Sequence, residues 1–358
     1  MAGLRKRHAR REGQPEAAGS APLTAAELQR ALEKKLGDYF GVRRKIVALD
    51  RRPSPYTSSF GLEALEIRFA DATSVRLVMK DLSRHGMLEH ARRARPEFLH
   101  DPQRETNTYR WILPSAPPGT AAWYGTVTNR SADRDWLLLE EVEGEPLSQV
   151  GSLSMWKQTA AWVAQLHQVF PPARAERLAT RSRLLRYDEE FYWEWLHRAQ
   201  QFCSRNVRKR RMIDRVARHY SRVVERLTGM RRTIIHGELY AGNVVVARNG
   251  PRVRICPVDW ETTALGPGLV DLATLTAGWD EKHQQLLARS YFGAQTRMES
   301  GVTGLLRHGA RGVDIDFDCC RLHSAVRMVG WSEDWSAPPE HARDWLSEAV
   351  QIAERLSR

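Results

Sequence analysis

His236-Gly237-Glu238-Leu239-Tyr240-Ala241-Gly242-Asn243 is followed by Val244-Val245-Val246, an Asn249-Gly250 turn, a second apolar run from Val253 to Val258, and then Asp259-Trp260-Glu261. The two apolar runs around Asn249-Gly250 read as a β-hairpin. A short loop thus offers an acid, Glu238, and an amide oxygen, Asn243, five residues later. The hairpin then carries Asp259 back beside Asn243. A carboxylate next to an acceptor hydroxyl, with oxygen ligands for a cation a few ångströms away, is the set that phosphoryl transfer requires. Taken singly, Asn243 reads equally well as a turn residue and Asp259 as a cap. The three in this order around a hairpin are hard to explain as turns.

The chain upstream supplies the remaining parts of such a centre. Ser74-Val75-Arg76-Leu77-Val78-Met79-Lys80 alternates as a strand ending in a lysine, and Leu62 to Ala70 pairs with it across the Asp71-Ala72-Thr73 turn. Asp101-Pro102 is a helix start, with an N-cap and a proline at the first helical position, so a helix runs through Glu105, Tyr109 and Ile112. In kinases a strand lysine contacts the nucleotide phosphates and is paired with a helix glutamate. Lys80 and Glu105 fit those places, and Glu97 is the alternative partner.

The order of segments resembles the aminoglycoside phosphotransferase and choline kinase-like family over roughly residues 40 to 355. Trp136-Leu137-Leu138-Leu139-Glu140-Glu141-Val142-Glu143-Gly144-Glu145-Pro146-Leu147 is similar to that family's last small-lobe strand and hinge. Ala161-Trp162-Val163-Ala164-Gln165-Leu166-His167 is similar to its first long large-lobe helix, and Gly266-Pro267-Gly268-Leu269-Val270-Asp271-Leu272-Ala273 to the segment after the metal-binding aspartate. The resemblance implies an α+β, bilobal protein-kinase-like fold with a small antiparallel-sheet N-lobe and a mostly helical C-lobe. The expected division is a basic disordered tail over 1–22, an N-lobe over 23–141 and a C-lobe over 142–358. ATP, or GTP, and Mg2+ are the implied cofactors, with a small-molecule hydroxyl as acceptor. Glu238 is then the catalytic-loop acid, Asn243 and Asp259 hold the metal with Glu261 assisting, and the backbone of Glu141 and Val142 meets the nucleobase. His236 bonds backbone near the loop, and Asp271 holds the loop in shape.

Two departures stand out. The family usually has Asp where this chain has Glu238, and a misplacement on the order of 1 Å can cost roughly 100-fold in rate. The phosphate-covering hairpin, Ser54-Pro55-Tyr56-Thr57-Ser58-Ser59-Phe60-Gly61, lacks the usual run of glycines. The hydroxyls of Thr57, Ser58 and Ser59 are candidate nucleotide contacts there, or the segment is an ordinary connection. Both departures motivate the alternative of a pseudokinase scaffold that binds nucleotide or a partner protein without catalysis.

Composition sets the outer bounds. A chain of 358 residues with 42% apolar content is natural for two lobes around a cleft. Cys203, Cys256, Cys319 and Cys320 lack C-x-x-C spacing, which points to reduced thiols in a cytoplasmic protein. No apolar run reaches membrane-span length and no signal peptide is evident. Thr24-Ala25-Ala26-Glu27 is a capping box opening the first helix, and two further helices are expected near 314–330 and 338–356. The formal net charge of +12 concentrates in the tail and in Arg205 to Arg232. Arg215, Arg218, Arg222 and Arg226 recur opposite Val216, Val223 and Leu227, the pattern of a solvated helix face, and no aromatic residues interleave to stack on nucleic-acid bases. Glu333, Asp334, Glu340 and Asp344 are either acceptor-side acids or surface and cap residues, and Trp260, Trp279, Trp331 and Trp335 either stack on a sugar or lie in a core. The overall basicity favours a neutral or anionic acceptor over a dedicated polycation site. Oligomeric state is not set by any of these features.

Overall fold

The computed structural model describes residues 24–54, 59–129, 134–250, 252–298, 310–331 and 342–357. The basic tail, Thr57, Ser58, Glu333, Asp334, Trp335 and Glu340 lie outside them.

Helix α1 (Ala25–Phe40) begins at the expected capping box: the Thr24 hydroxyl accepts from Glu27 N, and Glu27 accepts from Thr24 N at 3.0 Å. Its buried stripe, Leu28, Leu32 and Leu36, recurs every four residues and lies against a sheet. That sheet holds β1 (Ile46–Pro53), β2 (Leu62–Phe69), β3 (Ser74–Asp81), β4 (Trp123–Asn129) and β5 (Arg134–Glu140), all antiparallel in the order β1-β2-β3-β5-β4. The pleat sorts its side chains. Leu77 and Met79 of β3, with Trp136 and Leu138 of β5, face α1; Leu137 and Leu139 face the opposite core with Tyr109 and Ile112. Lys80, one step from Met79, is therefore turned toward the cleft side. Helices α2 (Glu89–Ala94) and α3 (Pro102–Trp111) fill the β3–β4 connection. Asp101 caps α3 by accepting from Gln103 N at 2.9 Å, and Pro102 takes the first turn.

The larger lobe is mostly helical: β6 (Glu145–Pro146), α4 (Leu147–Val150), α5 (Leu153–Val169), α6 (Pro172–Ser182), β7 (Leu185–Arg186), α7 (Glu189–Cys203), α8 (Val207–Gly229), β8 (Arg232–Ile235), β9 (Val244–Asn249), β10 (Arg252–Pro257), β11 (Ala264–Pro267), α9 (Leu269–Leu275), α10 (Glu281–Met298), α11 (Ala310–Val329) and α12 (Trp345–Leu356). The α+β bilobal protein-kinase-like fold expected from the sequence is the fold observed. Helix α8 buries Ile213, Val216, Tyr220, Val223 and Leu227 and exposes Arg208, Lys209, Arg210, Arg211, Arg215, Arg218 and Arg222, a solvated basic face. The last helix starts later than expected, at Trp345, because Asp344 caps it by accepting from Ser347 N at 2.9 Å. Helix α11 starts earlier, at Ala310. All four cysteines are free thiols and buried. Among the described residues no helix is long and apolar enough to cross a membrane.

Two small ladders position the loops that matter. β8 pairs antiparallel with β11, so Ile235 sits opposite Ala264 and the segment after β8 runs beside the one before β11. β9 pairs with β10 up to Val244 opposite Pro257, and Val258 N donates to Asn243 O at 2.9 Å. The 236–243 and 259–263 loops are thereby held side by side from both ends.

Candidate active site

The loop after β8 is immobilised from beneath. Asp271, on α9, accepts from His236 N at 2.8 Å and Gly237 N at 2.9 Å, and His167 of α5 stands 3.1 Å from the same carboxylate. The other nitrogen of His167 meets Tyr291 Oη at 2.8 Å. Gly237 has φ 85°, and a Cβ there would stand 2.4 Å from Thr262 O, so only glycine lets the two loops approach this closely. His236 is fully buried; its Nε2 is 2.9 Å from Val258 O and its Nδ1 accepts from Glu238 N at 3.3 Å. Those partners fix the tautomer with the proton on Nε2. Burial lowers the His236 pKa, with the Asp271 carboxylate opposing that shift. Asn243 Nδ2 donates to Glu238 O at 2.9 Å, which turns its amide oxygen the other way.

Across the cleft, Lys80 is only 6% exposed. Its Nζ lies 2.7 Å from Glu105 Oε2, 2.5 Å from Asp259 Oδ1 and 3.8 Å from Glu261 Oε2. Burial alone would depress the lysine pKa, but Asp259, Glu105 and Glu261 outweigh it and hold the ammonium charged. Glu105 is pushed up to about 7, by burial first, with Lys80 opposing and Asp259 and Glu261 adding to the rise. For Asp259 burial also raises the pKa, and Lys80 overrides it to leave the group lowered and ionised. Glu105 Oε1 additionally accepts from Trp260 N at 3.1 Å, tying α3 to the Asp259 loop. Asp259 itself is left-handed at φ 65°, ψ 60°, a conformation that costs a non-glycine residue energy and recurs at functional sites.

Glu105, Asp259 and Glu261 each offer a carboxylate oxygen, and the three atoms lie within 4.8 Å of one another. All are hard donors of the kind Mg2+ prefers, and an ammonium already sits among them, so the residues present fit a cation.

Sequence spacing brought Lys80, Glu105, Asn243 and Asp259 into view, and the fold gathers them at one cleft. Glu97, the alternative partner for Lys80, lies in a surface turn and pairs with Arg84 at 2.9 Å instead. Ser59 is described, and its carbonyl accepts from Leu88 N at 3.0 Å; Thr57 and Ser58 lie outside the described residues. At the hinge, Glu141 N donates to Arg76 O at 3.3 Å, so a nucleobase on this edge would meet the Glu141 carbonyl and the Val142 backbone. Trp260 is fully buried, its indole donating to Pro257 O at 3.0 Å, and is a core residue.

Two arginines were not anticipated. Arg327 of α11, 3% exposed, donates from Nη2 to Glu238 Oε1 and from Nη1 to Gly237 O at 2.6 Å and Tyr187 Oη at 3.1 Å. Burial raises the Glu238 pKa, and Arg327 opposes the rise. Arg95, just after α2, reaches Glu261 Oε1 with Nη1 at 2.5 Å. The sequence did hold a signal for Arg327: with His323 it forms an i, i+4 polar pair on a helix otherwise lined by Leu322, Ala325, Val326 and Met328.

No curated protein sequence matches the chain. Among solved structures, the GDP complex of aminoglycoside 2'-phosphotransferase-IIIa is 10% identical with a TM-score of 0.53, covering 91% of this chain and 97% of that one. Ethanolamine kinase of Plasmodium vivax is 12% identical with a TM-score of 0.53, covering 86% and 82%. Spectinomycin phosphotransferase in complex with ADP and spectinomycin is 13% identical with a TM-score of 0.52, covering 94% and 99%. These likenesses establish the shared fold. Residues 68–305, more than half of the chain, match the APH phosphotransferase enzyme family. The chain belongs to that family and is a small-molecule phosphotransferase acting on an alcohol group.

Proposed function

We propose that this phosphotransferase moves the terminal phosphoryl group of ATP or GTP to a hydroxyl of a sugar, an aminoglycoside-like compound or an amino alcohol. The observation that carries the reading is the buried Lys80 ammonium shared between Glu105 of the small lobe and Asp259 of the large lobe. A buried ammonium beside three carboxylates, next to the 236–243 loop, supports a phosphate-binding role for Lys80. A scaffold that binds only a partner protein has no physical use for it.

In this reading Lys80 contacts the nucleotide phosphates, kept in place by Glu105. Asp259 and the amide oxygen of Asn243 are the metal ligands, with Glu261 alongside. Magnesium bound there would neutralise charge on the phosphates. Glu238 orients the acceptor hydroxyl through Oε2 while Oε1 is committed to Arg327. The Glu141–Val142 backbone faces the nucleobase. Four free, buried thiols suit a cytoplasmic enzyme.

The reading is tested by incubating the protein with magnesium and ATP or GTP beside a panel of aminoglycosides, amino alcohols and sugars, and following nucleoside diphosphate release. Release above the acceptor-free background with one chemical class supports it and names the class. Absence of release with every class, for both nucleotides, contradicts it.

A further inference from the structure

Glu89-His90-Ala91-Arg92-Arg93-Ala94-Arg95-Pro96 carries three arginines with two fates. Arg92 and Arg93 point to solvent from α2, whereas the Arg95 side chain is 5% exposed. The helix ends at Ala94, and Arg95 takes φ −75°, ψ 127°, the extended conformation that a following proline favours. That break turns its side chain inward. There Nη1 pairs with Glu261 Oε1 at 2.5 Å and Nη2 donates to Leu99 O at 3.2 Å, but the buried Nε finds no hydrogen-bond partner among the described residues. The facing Glu261 Oε2 likewise makes no hydrogen bond and stands 3.8 Å from Lys80 Nζ. A planar guanidinium with five fixed donors is thus only partly used, on the rim of the carboxylate cluster.

We propose that Arg95 is a catalytic residue of the phosphoryl transfer, engaging the terminal phosphate of the bound nucleotide; this rests on the cleft being a nucleotide site. Glu261 can serve Arg95 or a cation, but not both fully. A guanidinium released from it keeps a fork that matches phosphate oxygens. In the transfer, the acceptor oxygen forms a bond to the terminal phosphorus as the bond to the bridging oxygen breaks. The nucleoside diphosphate leaves with the electron pair, and the hydroxyl proton passes to Glu238. Arg95 forms no covalent bond; it donates hydrogen bonds to the non-bridging oxygens of the group in flight, where a positive side chain is most effective. Arg104, also buried, does not compete for this role, because it donates to the carbonyls of Leu99 and Glu261 at 2.9 and 3.0 Å and acts as a brace.

The test separates a phosphate contact from a brace by comparing ligands that differ only in the terminal phosphate. Calorimetric titration of the full chain with magnesium and either ADP or its non-hydrolysable triphosphate analogue, or the guanosine pair if the wild type prefers it, is run on wild type and Arg95→Ala. Loss of triphosphate affinity by about 10- to 100-fold, the range for a hydrogen bond to a charged group, with the diphosphate affinity unchanged, is the expected result. Equal loss of both affinities, or loss of neither, overturns the proposal. If the alanine variant does not fold, Arg95→Lys keeps the charge and carries the same comparison, and an unchanged triphosphate-to-diphosphate ratio overturns the proposal there too. A folded wild type that binds neither ligand overturns the nucleotide reading itself, a distinguishable failure.

Discussion

The carboxylate of Glu238 is held by the guanidinium of Arg327, 89 residues further along the chain and on a different element. The same guanidinium also accepts no freedom of its own: it bonds Gly237 O and Tyr187 Oη and lies 5.4 and 5.6 Å from the parallel rings of Trp195 and Trp331. The length of the glutamate side chain is what lets the acid reach this fixed partner. Glu238→Asp, which shortens the side chain by one methylene, should therefore lower turnover, by about 100-fold for a displacement near 1 Å. Steady-state nucleotide turnover of the two forms checks it; an aspartate variant as fast as wild type would sink the coupling between side-chain length and Arg327.

Removal of Arg327 leaves a buried carboxylate without its counter-charge. Arg327→Met should cost about 3–5 kcal/mol of folding stability, and the double variant Arg327→Met with Glu238→Gln should recover part of that loss. Urea unfolding of the single and double variants measures both. Additive losses in the double variant would show that the pair is not coupled.

Asp271 fastens the 236–243 loop by accepting two backbone amides, from His236 and Gly237. In Asp271→Asn one acceptor oxygen becomes a donor that faces an N–H group. The expected loss is about 1–3 kcal/mol, with a parallel fall in turnover because Glu238 directly follows that anchor. A variant with wild-type unfolding midpoint would contradict the assigned role.

How much of this was legible beforehand follows from how local each signal is. Lys80 was found because strand alternation is a period-2 pattern in a few residues, and Glu105 because Asp101-Pro102 announces a helix start. Asn243 and Asp259 were found because a hairpin returns its ends to each other. Arg327 and Arg95 are not legible in this way, since each meets its partner across more than 80 residues; the i, i+4 pairing of His323 with Arg327 marks a polar spot on an apolar helix face but does not name Glu238 as its partner. Of the acids read either as acceptor-side groups or as cap and surface residues, Asp344 is a helix cap, and Glu333, Asp334 and Glu340 lie outside the described residues.

His323 offers a pH signature of the core beneath the loop. It packs against Tyr187, Phe191 and Tyr192, its Nδ1 is 3.4 Å from Tyr220 Oη, and burial, aided by Arg327, lowers its pKa to about 3. In the unfolded chain it titrates at about 6.5. Between those values the unfolded state binds a proton that the native state refuses, so stability falls as pH falls below about 6.5. From pH 7.5 to 5.0 the contribution is a loss of about 2 kcal/mol. Chemical denaturation at both pH values should show His323→Gln with a correspondingly shallower acid dependence; an identical pH slope in variant and wild type would contradict it.

We propose that the Asp259 carboxylate, here paired with Lys80, belongs to a nucleotide and metal site. Its most direct test is thermal denaturation of wild type and Asp259→Asn with ATP and with GTP, each with and without magnesium. Magnesium-dependent stabilisation by at least one nucleotide in the wild type, lost in a variant that is still folded, is the predicted result. Equal stabilisation of both proteins, or none in the wild type with either nucleotide, would contradict the account.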